Sequence, residues 1–169
     1  GALLYLDLDD FKHINEGLGH QYGDILLKAI SHSFQHIPEI DNNCYRVGGD
    51  EFIIIILPKY YQQFNEIIEE IKEVFSKPWF LRDGDYYCTM SMGVVRFPTE
   101  GDTVEELIKK ADIALYAAKC SGKNRVEFYD ENVESTSFRR LDMEKNMRNA
   151  TNNAFSEFEV VYQPIVDVT

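Results

Sequence analysis

Acidic residues at two places in the chain set the chemistry it could do. Asp7 follows the apolar run Ala2 to Leu6, at the point where a strand would deliver a carboxylate to the edge of a sheet. Asp50 and Glu51 follow Gly48 and Gly49 and lead into the unbroken apolar run Phe52 to Leu57. Glycines permit positive φ and close approach by another backbone, and a β-branched run of this length reads as a buried strand. Residues 44–57 therefore read as a β-hairpin with two carboxylates at its tip. Two carboxylates brought to one sheet edge are the hard-oxygen set that Mg²⁺ takes, with water or phosphate completing the shell. Each feature alone has a plainer reading: an acidic turn is commonly a solvated turn, and a strand-end aspartate is commonly just exposed. Lys12, Lys119 and Lys123 are candidate positive charges to meet phosphate, of which Lys123 also fits a residue complementing a helix macrodipole.

The elements that must position these groups follow from pattern. Ala2 to Asp9 reads as a central strand turning acidic at its C-terminal end, the edge where α/β sheets bind ligands. Asp9 to Asp24 reads as a short helical turn broken by Gly17, Gly19 and Gly23. Asp24 then opens a helix with the stripe Ile25, Leu26, Ala29, Ile30, Phe34 and Ile37. Phe64, Ile67, Ile68, Ile71, Val74 and Phe75 recur at helical spacing before Pro78. Trp79 to Leu81 and Tyr86 to Phe97 flank Asp83-Gly84 and read as a second hairpin. Thr103-Val104-Glu105-Glu106 has capping-box spacing, and Leu107, Ile108, Ala111, Leu115 and Ala118 give the next helix its buried stripe. Val126 to Tyr129 reads as a closing strand. The order βαββαββαβ predicts an α/β or α+β layer fold with a mixed central sheet. From Asp130 the composition turns polar, with a connecting helix expected over 136–150 and a further strand over 158–168.

Composition bounds the function. The 169 residues are 44% hydrophobic, enough for one domain with a real core and an appended piece. A net charge of −12 leaves no basic stripe for a phosphate backbone, which argues against nucleic acid as a partner. Cys44, Cys88 and Cys120 are odd in number and far apart, so they read as reduced thiols rather than a disulfide framework or metal knuckle. No apolar run approaches the roughly 20 residues of a membrane span, and the start shows no signal peptide. A soluble, cytoplasmic piece without membrane contact is expected. Because its first residues already read as a core strand, the natural chain is expected to extend upstream.

Taken in order, Asp7-Leu8-Asp9-Asp10-Phe11-Lys12, Asn15-Glu16, Gly19-His20, Gly23-Asp24, Arg46 to Phe52, Ser91-Met92-Gly93-Val94, Ala111 to Lys119 and Gly122-Lys123-Asn124 resemble the GGDEF domain family of diguanylate cyclases. The resemblance covers about residues 2–129. It implies a fold like the palm of nucleotidyl cyclases and an activity that condenses two GTP into cyclic di-GMP and two pyrophosphates. It also implies a homodimer, because each site holds one GTP and two must face each other. Mg²⁺ (or Mn²⁺) is implied on Asp7, Asp50 and the main-chain carbonyl of Leu8. Asp50, Lys12 and Glu51 are the implied catalytic groups, with Glu51 either orienting Lys12 or serving a second metal. Asn15, Asp24, His20, Lys119, Lys123, Gly48 and Gly49 are the implied substrate-binding residues. Asn15 and Asp24 match the family's guanine readers, although Asp24 would equally serve as a helix N-cap. The tail Phe158 to Asp167 resembles the opening strand of EAL domains, the cyclic di-GMP phosphodiesterases that often follow GGDEF domains. The domains expected are thus 1–129 GGDEF, 130–157 linker, and 158–169 the first strand of an EAL domain in cis.

The pattern departs from the family at three points. Where the family's product-inhibition site has an Arg and an Asp three apart, this chain has Glu39 and Asn42. Bidentate capture of a guanine or phosphate is then not available there. Lys123 stands where arginine is frequent, a point charge in place of a fork. A further helix and motif that the family carries upstream lie before the position of Gly1. His32 and His36, one helical turn apart, have no third ligand near them in sequence and read as surface residues.

Overall fold

The computed structural model describes residues 1–132; the expected linker helix and EAL strand lie outside the described residues. Its elements are β1 (Ala2–Leu8), α1 (Phe11–Leu18), α2 (His20–Phe34), β2 (Cys44–Gly48), β3 (Glu51–Ile56), a 3₁₀ turn (Pro58–Gln63), α3 (Phe64–Val74), β4 (Trp79–Leu81), β5 (Gly84–Tyr86), β6 (Met90–Arg96), α4 (Val104–Cys120) and β7 (Val126–Phe128). Five strands form the main sheet in the order β2-β3-β1-β6-β7, antiparallel except for the parallel β6–β7 pair. The mixed sheet flanked by helices is the layer architecture the element order predicts.

Strand β1 sits at the centre because both its faces are covered. Side chains alternate across a strand, and β1 divides accordingly. Leu4, Leu6 and Leu8 enter a large core with α2, α3 and Phe11, while Leu3 and Tyr5 join a smaller one with Leu107, Ala111 and Ala114 of α4. Asp7 continues the second row. Register places Glu51 of β3 and Ser91 of β6 on either side of it, so one polar row crosses the α4 face of the sheet at its edge.

Several local expectations change. The glycine-rich stretch after Asp9 forms two consecutive helices with Gly19 between them at φ 100°. Asp24 accordingly lies inside α2, and the N-cap reading does not hold. Ile25 is half-exposed rather than part of the buried stripe, because moving the helix start back to His20 leaves the stripe to Leu26, Leu27, Ile30 and Phe34. The second hairpin is shorter than expected: β4 pairs with β5 as a separate two-stranded sheet, with Arg82-Asp83 as its turn and Arg82 at φ 58°. The chain breaks over 87–89 before β6 enters the main sheet. Apolar content alone could not show that break. The capping box forms with one displacement: Thr103 Oγ1 accepts from Glu106 N at 3.2 Å, while the Glu106 carboxylate reaches Asp102 N instead of Thr103 N. Cys44 and Cys88 are free thiols that burial pushes up to about 11 and about 12.

Candidate active site

The β2–β3 hairpin closes over Gly49-Asp50, with Gly49 at φ 40° and a register shift between Arg46 and Gly48. Arg46 Nε donates to Gly49 O at 2.8 Å and braces the turn. Leu8 N donates to Asp50 O at 3.3 Å, so the hairpin tip is pinned to the end of β1. A Cβ at Gly49 would meet nothing within 4 Å, and one at Gly48 would come no nearer than 3.6 Å, to a Glu51 carboxylate oxygen. The backbone of the tip is therefore open to a bulky ligand.

Asp7 is buried, and its carboxylate takes the Lys119 ammonium at 2.8 Å from the last turn of α4. Burial pushes the Asp7 carboxyl above the usual carboxylate range. Lys119 opposes that shift, and the negative charges of Asp50 and Glu51 add to it. The three carboxylates thus feel one another across the sheet edge. The Tyr5 hydroxyl on the same face has its pKa raised first by burial and then by the Glu51 charge.

Beyond β1 the chain turns through Asp10 in the left-handed region, at φ 56°, and enters α1. Lys12 lies on the exposed face of α1 and pairs with Glu16 at 3.3 Å. Lys12 is therefore not held by Glu51, as one sequence reading had it. Lys123 pairs with Asp10 at 2.6 Å, which holds the Asp10 carboxyl below its ordinary range and the Lys123 ammonium above its own. Lys119 and Lys123 thus both lie at the β1 end, each already matched to a carboxylate. On the other side of α1, Asn15 packs its side chain on buried Gly23, where any Cβ would overlap the Asn15 amide and the Phe11 ring. Asp24 is the next residue of α2 and is exposed, as is His20. The candidate guanine readers are thereby neighbours through the α1–α2 contact. His36 Nδ1 lies 2.7 Å from His32 O, one turn back on an exposed surface, in keeping with a surface role.

Among the described residues no three His, Cys, Asp or Glu side chains are assembled as a metal cluster. The donors that are present still suit Mg²⁺ or Mn²⁺. Mg²⁺ takes one or two carboxylates and keeps the rest of its shell for water and phosphate, and Asp7 at the end of β1 with Asp50 on the hairpin tip pinned beside it would supply such a pair. Sequence reasoning missed Asp9. It is buried and accepts from Thr89 Oγ1 and Ser91 Oγ, both at 2.7 Å, and from Asn124 N at 3.0 Å. Only the pairing of β1 with β6 reveals the first two, and only the packing of the α4–β7 turn against the end of β1 reveals the third.

This fold and site define a mixed-sheet α/β domain with an acidic hairpin tip at the edge of its central strand. Residues 1–125 match the model of the diguanylate cyclase GGDEF domain, and the chain belongs to that family. The chain is 32% identical over 165 residues to the cyclic di-GMP phosphodiesterase NbdA of Pseudomonas aeruginosa, covering 98% of this chain and 21% of that protein. The bifunctional diguanylate cyclase/cyclic di-GMP phosphodiesterase MucR of the same species is 28% identical over 98% of this chain and 24% of its own length. The chain therefore spans about a fifth to a quarter of these curated relatives. The crystal structure of the GGDEF domain of P. aeruginosa YfiN (TpbB) superposes with a TM-score of 0.70 at 28% identity, over 76% of this chain and 81% of that one. No helix among the described residues is long and apolar enough to cross a membrane.

Proposed function

We propose that this chain is the cyclase domain of a composite GGDEF-EAL protein, condensing two GTP into cyclic di-GMP and two pyrophosphates within a homodimer. The observation that carries this reading is the hairpin tip pinned to the end of β1, which sets Glu51 in register with Asp7 and Asp50 beside Leu8, next to the open backbone of Gly48-Gly49. In the reaction the ribose 3′-hydroxyl of one GTP attacks the α-phosphate of the other, an O–P bond forms, and the bond to the β-phosphate breaks. Such a step needs alignment and charge neutralisation more than covalent participation. Asp50, half-exposed at the hairpin tip, is positioned to take the hydroxyl proton directly or through a nearby hydroxide. Lys119 and Lys123 would exchange their carboxylate partners for phosphate oxygens, and Lys12 adds a third ammonium. Asn15 would pair with O6 or N3 of guanine, and Asp24 would accept from N1–H and the 2-amino group. Mg²⁺ or Mn²⁺ held by Asp7, Asp50 and the Leu8 carbonyl would neutralise charge developing at the α-phosphate. GTP as substrate assigns the domain to the cytoplasm.

A second reading is a GTP-binding domain that makes no product and controls a downstream EAL phosphodiesterase by shifting its populations. The match to NbdA, named a phosphodiesterase and aligned over 98% of this chain, favours keeping it. Incubation of the full-length protein with GTP and Mg²⁺, followed by chromatography, separates the two. Cyclic di-GMP from the wild type and none from Asp50→Ala supports the cyclase. GTP binding without product in either supports the regulatory domain and sinks the first reading.

A further inference from the structure

The Asp9 carboxylate joins three segments: its own strand end, the start of β6 through Thr89 and Ser91, and the α4–β7 turn through Asn124 N. That turn is unusual in its backbone. Gly122, Lys123 and Asn124 take φ of 116°, 61° and 49° in succession, a left-handed run in which only one residue is glycine. Left-handed conformations are uncommon for residues with a Cβ and persist where surrounding structure holds them. Two further bonds help here, Lys123 N to Ala118 O at 3.1 Å and Arg125 Nε to Lys123 O at 3.3 Å. Both are local to the turn, whereas the Asp9 bond ties it to the central strand across 115 residues of sequence. One residue further on, Asp10 takes the Lys123 ammonium.

We propose that Asp9 is a positioning residue: it holds the Lys123–Asn124 turn against the end of β1 so that the Lys123 ammonium faces the triphosphate. The inference rests on the GTP-site reading above and goes beyond it, because Asp9 touches neither nucleotide nor metal in that reading. A buried carboxylate with three donors is over-determined and rigid, and a charge-assisted bond to a backbone N–H is among the stronger ones. Loss of its charge weakens the bond to Asn124 N and loosens the strained turn. Lys123 would then be left on a mobile segment with an unchanged chemical identity.

Two measurements on the 169-residue chain test this. Amide hydrogen exchange of the unliganded protein reads the turn directly, and Asp9→Asn should speed exchange at Asn124 by roughly tenfold. Calorimetric titration with Mg²⁺ and a GTP analogue carrying a methylene bridge between the α- and β-phosphates reads the consequence. Asp9→Asn should weaken binding about tenfold in the wild-type background and by much less in the Lys123→Ala background, since the effect runs through Lys123. Unchanged exchange at Asn124, or losses that simply add in the double variant, would overturn the proposal. If Asp9→Asn does not fold, Thr89→Val combined with Ser91→Ala strips two donors from the same carboxylate and carries the same test, with a smaller rise expected. A wild type that binds no analogue overturns the GTP reading itself. It is distinguished from failure of the Asp9 role, in which the wild type binds and Asn124 exchanges alike in both proteins.

Discussion

Burying a carboxylate disfavours its ionised form, and Asp7 shows the effect with the Lys119 ammonium only partly offsetting it. Its folded pKa lies above the unfolded value, so just above the ordinary carboxylate range the folded chain binds more protons than the unfolded one. Stability contributed at this residue is therefore present at low pH and lost as pH rises through that window. We expect urea midpoints of the metal-free protein to show a downward component as pH rises just above the ordinary carboxylate range, and Asp7→Asn to remove it. Equal slopes in the two proteins would show that Asp7 is not strained. On the proposed cyclase reading, a divalent cation held there would offset the burial that folding imposes on this carboxylate.

At the scale of elements, α4 must lie close to the sheet for Lys119 to reach Asp7. Gly93 makes that possible. A Cβ there would overlap the Ala111 carbonyl and the Leu115 amide, backbone atoms that cannot step aside as a side-chain tip can. Gly93→Ala should cost about 1–3 kcal/mol or more in unfolding free energy, as overpacking does. It should also push α4 off β6, so that GTP affinity falls along with the thermal midpoint. The hairpin behaves differently: a Cβ at Gly48 would come no nearer than 3.6 Å to any atom, so this glycine makes no room for a packed helix, and on the proposed reading it leaves room for a ligand. The turn preceding the hairpin carries Glu39 and Asn42, where Asn42 Nδ2 bonds only its neighbour Asp41 among the contacts described for it. No arginine fork is present at these positions, so calorimetry should find no tight cyclic di-GMP binding that Glu39→Ala abolishes.

For the whole molecule, the proposed condensation makes one chain one half of the reacting pair. The reading of a cyclase requires two copies about a two-fold axis, each presenting a GTP to the other. In dilute solution the rate of product formation should then rise with the square of protein concentration, flattening once dimers saturate. A first-order dependence throughout would count against condensation between half-sites. With a net charge of −12 on each chain, mutual repulsion opposes the encounter, so at fixed Mg²⁺ added salt should shift the onset of saturation to lower protein concentration. An EAL domain following in cis would help by raising the effective concentration if it dimerises.

Much of this was legible in the order of residues. Two glycines, two carboxylates and a β-branched run define the hairpin, and the apolar run turning acidic at Asp7 defines a central strand with a polar end, because run length and turn geometry are local properties. The ordered motifs also carried the family. What only the tertiary structure decided was which charges meet. Lys119 and Lys123 are read from sequence as cations for phosphate, but α4 packed on β6 sets them against Asp7 and Asp10. Asp9 likewise acquires partners 80, 82 and 115 residues away. Those pairings depend on strand register and on the close approach that Gly93 allows, which are relations between distant segments and leave no mark in the local pattern of either one.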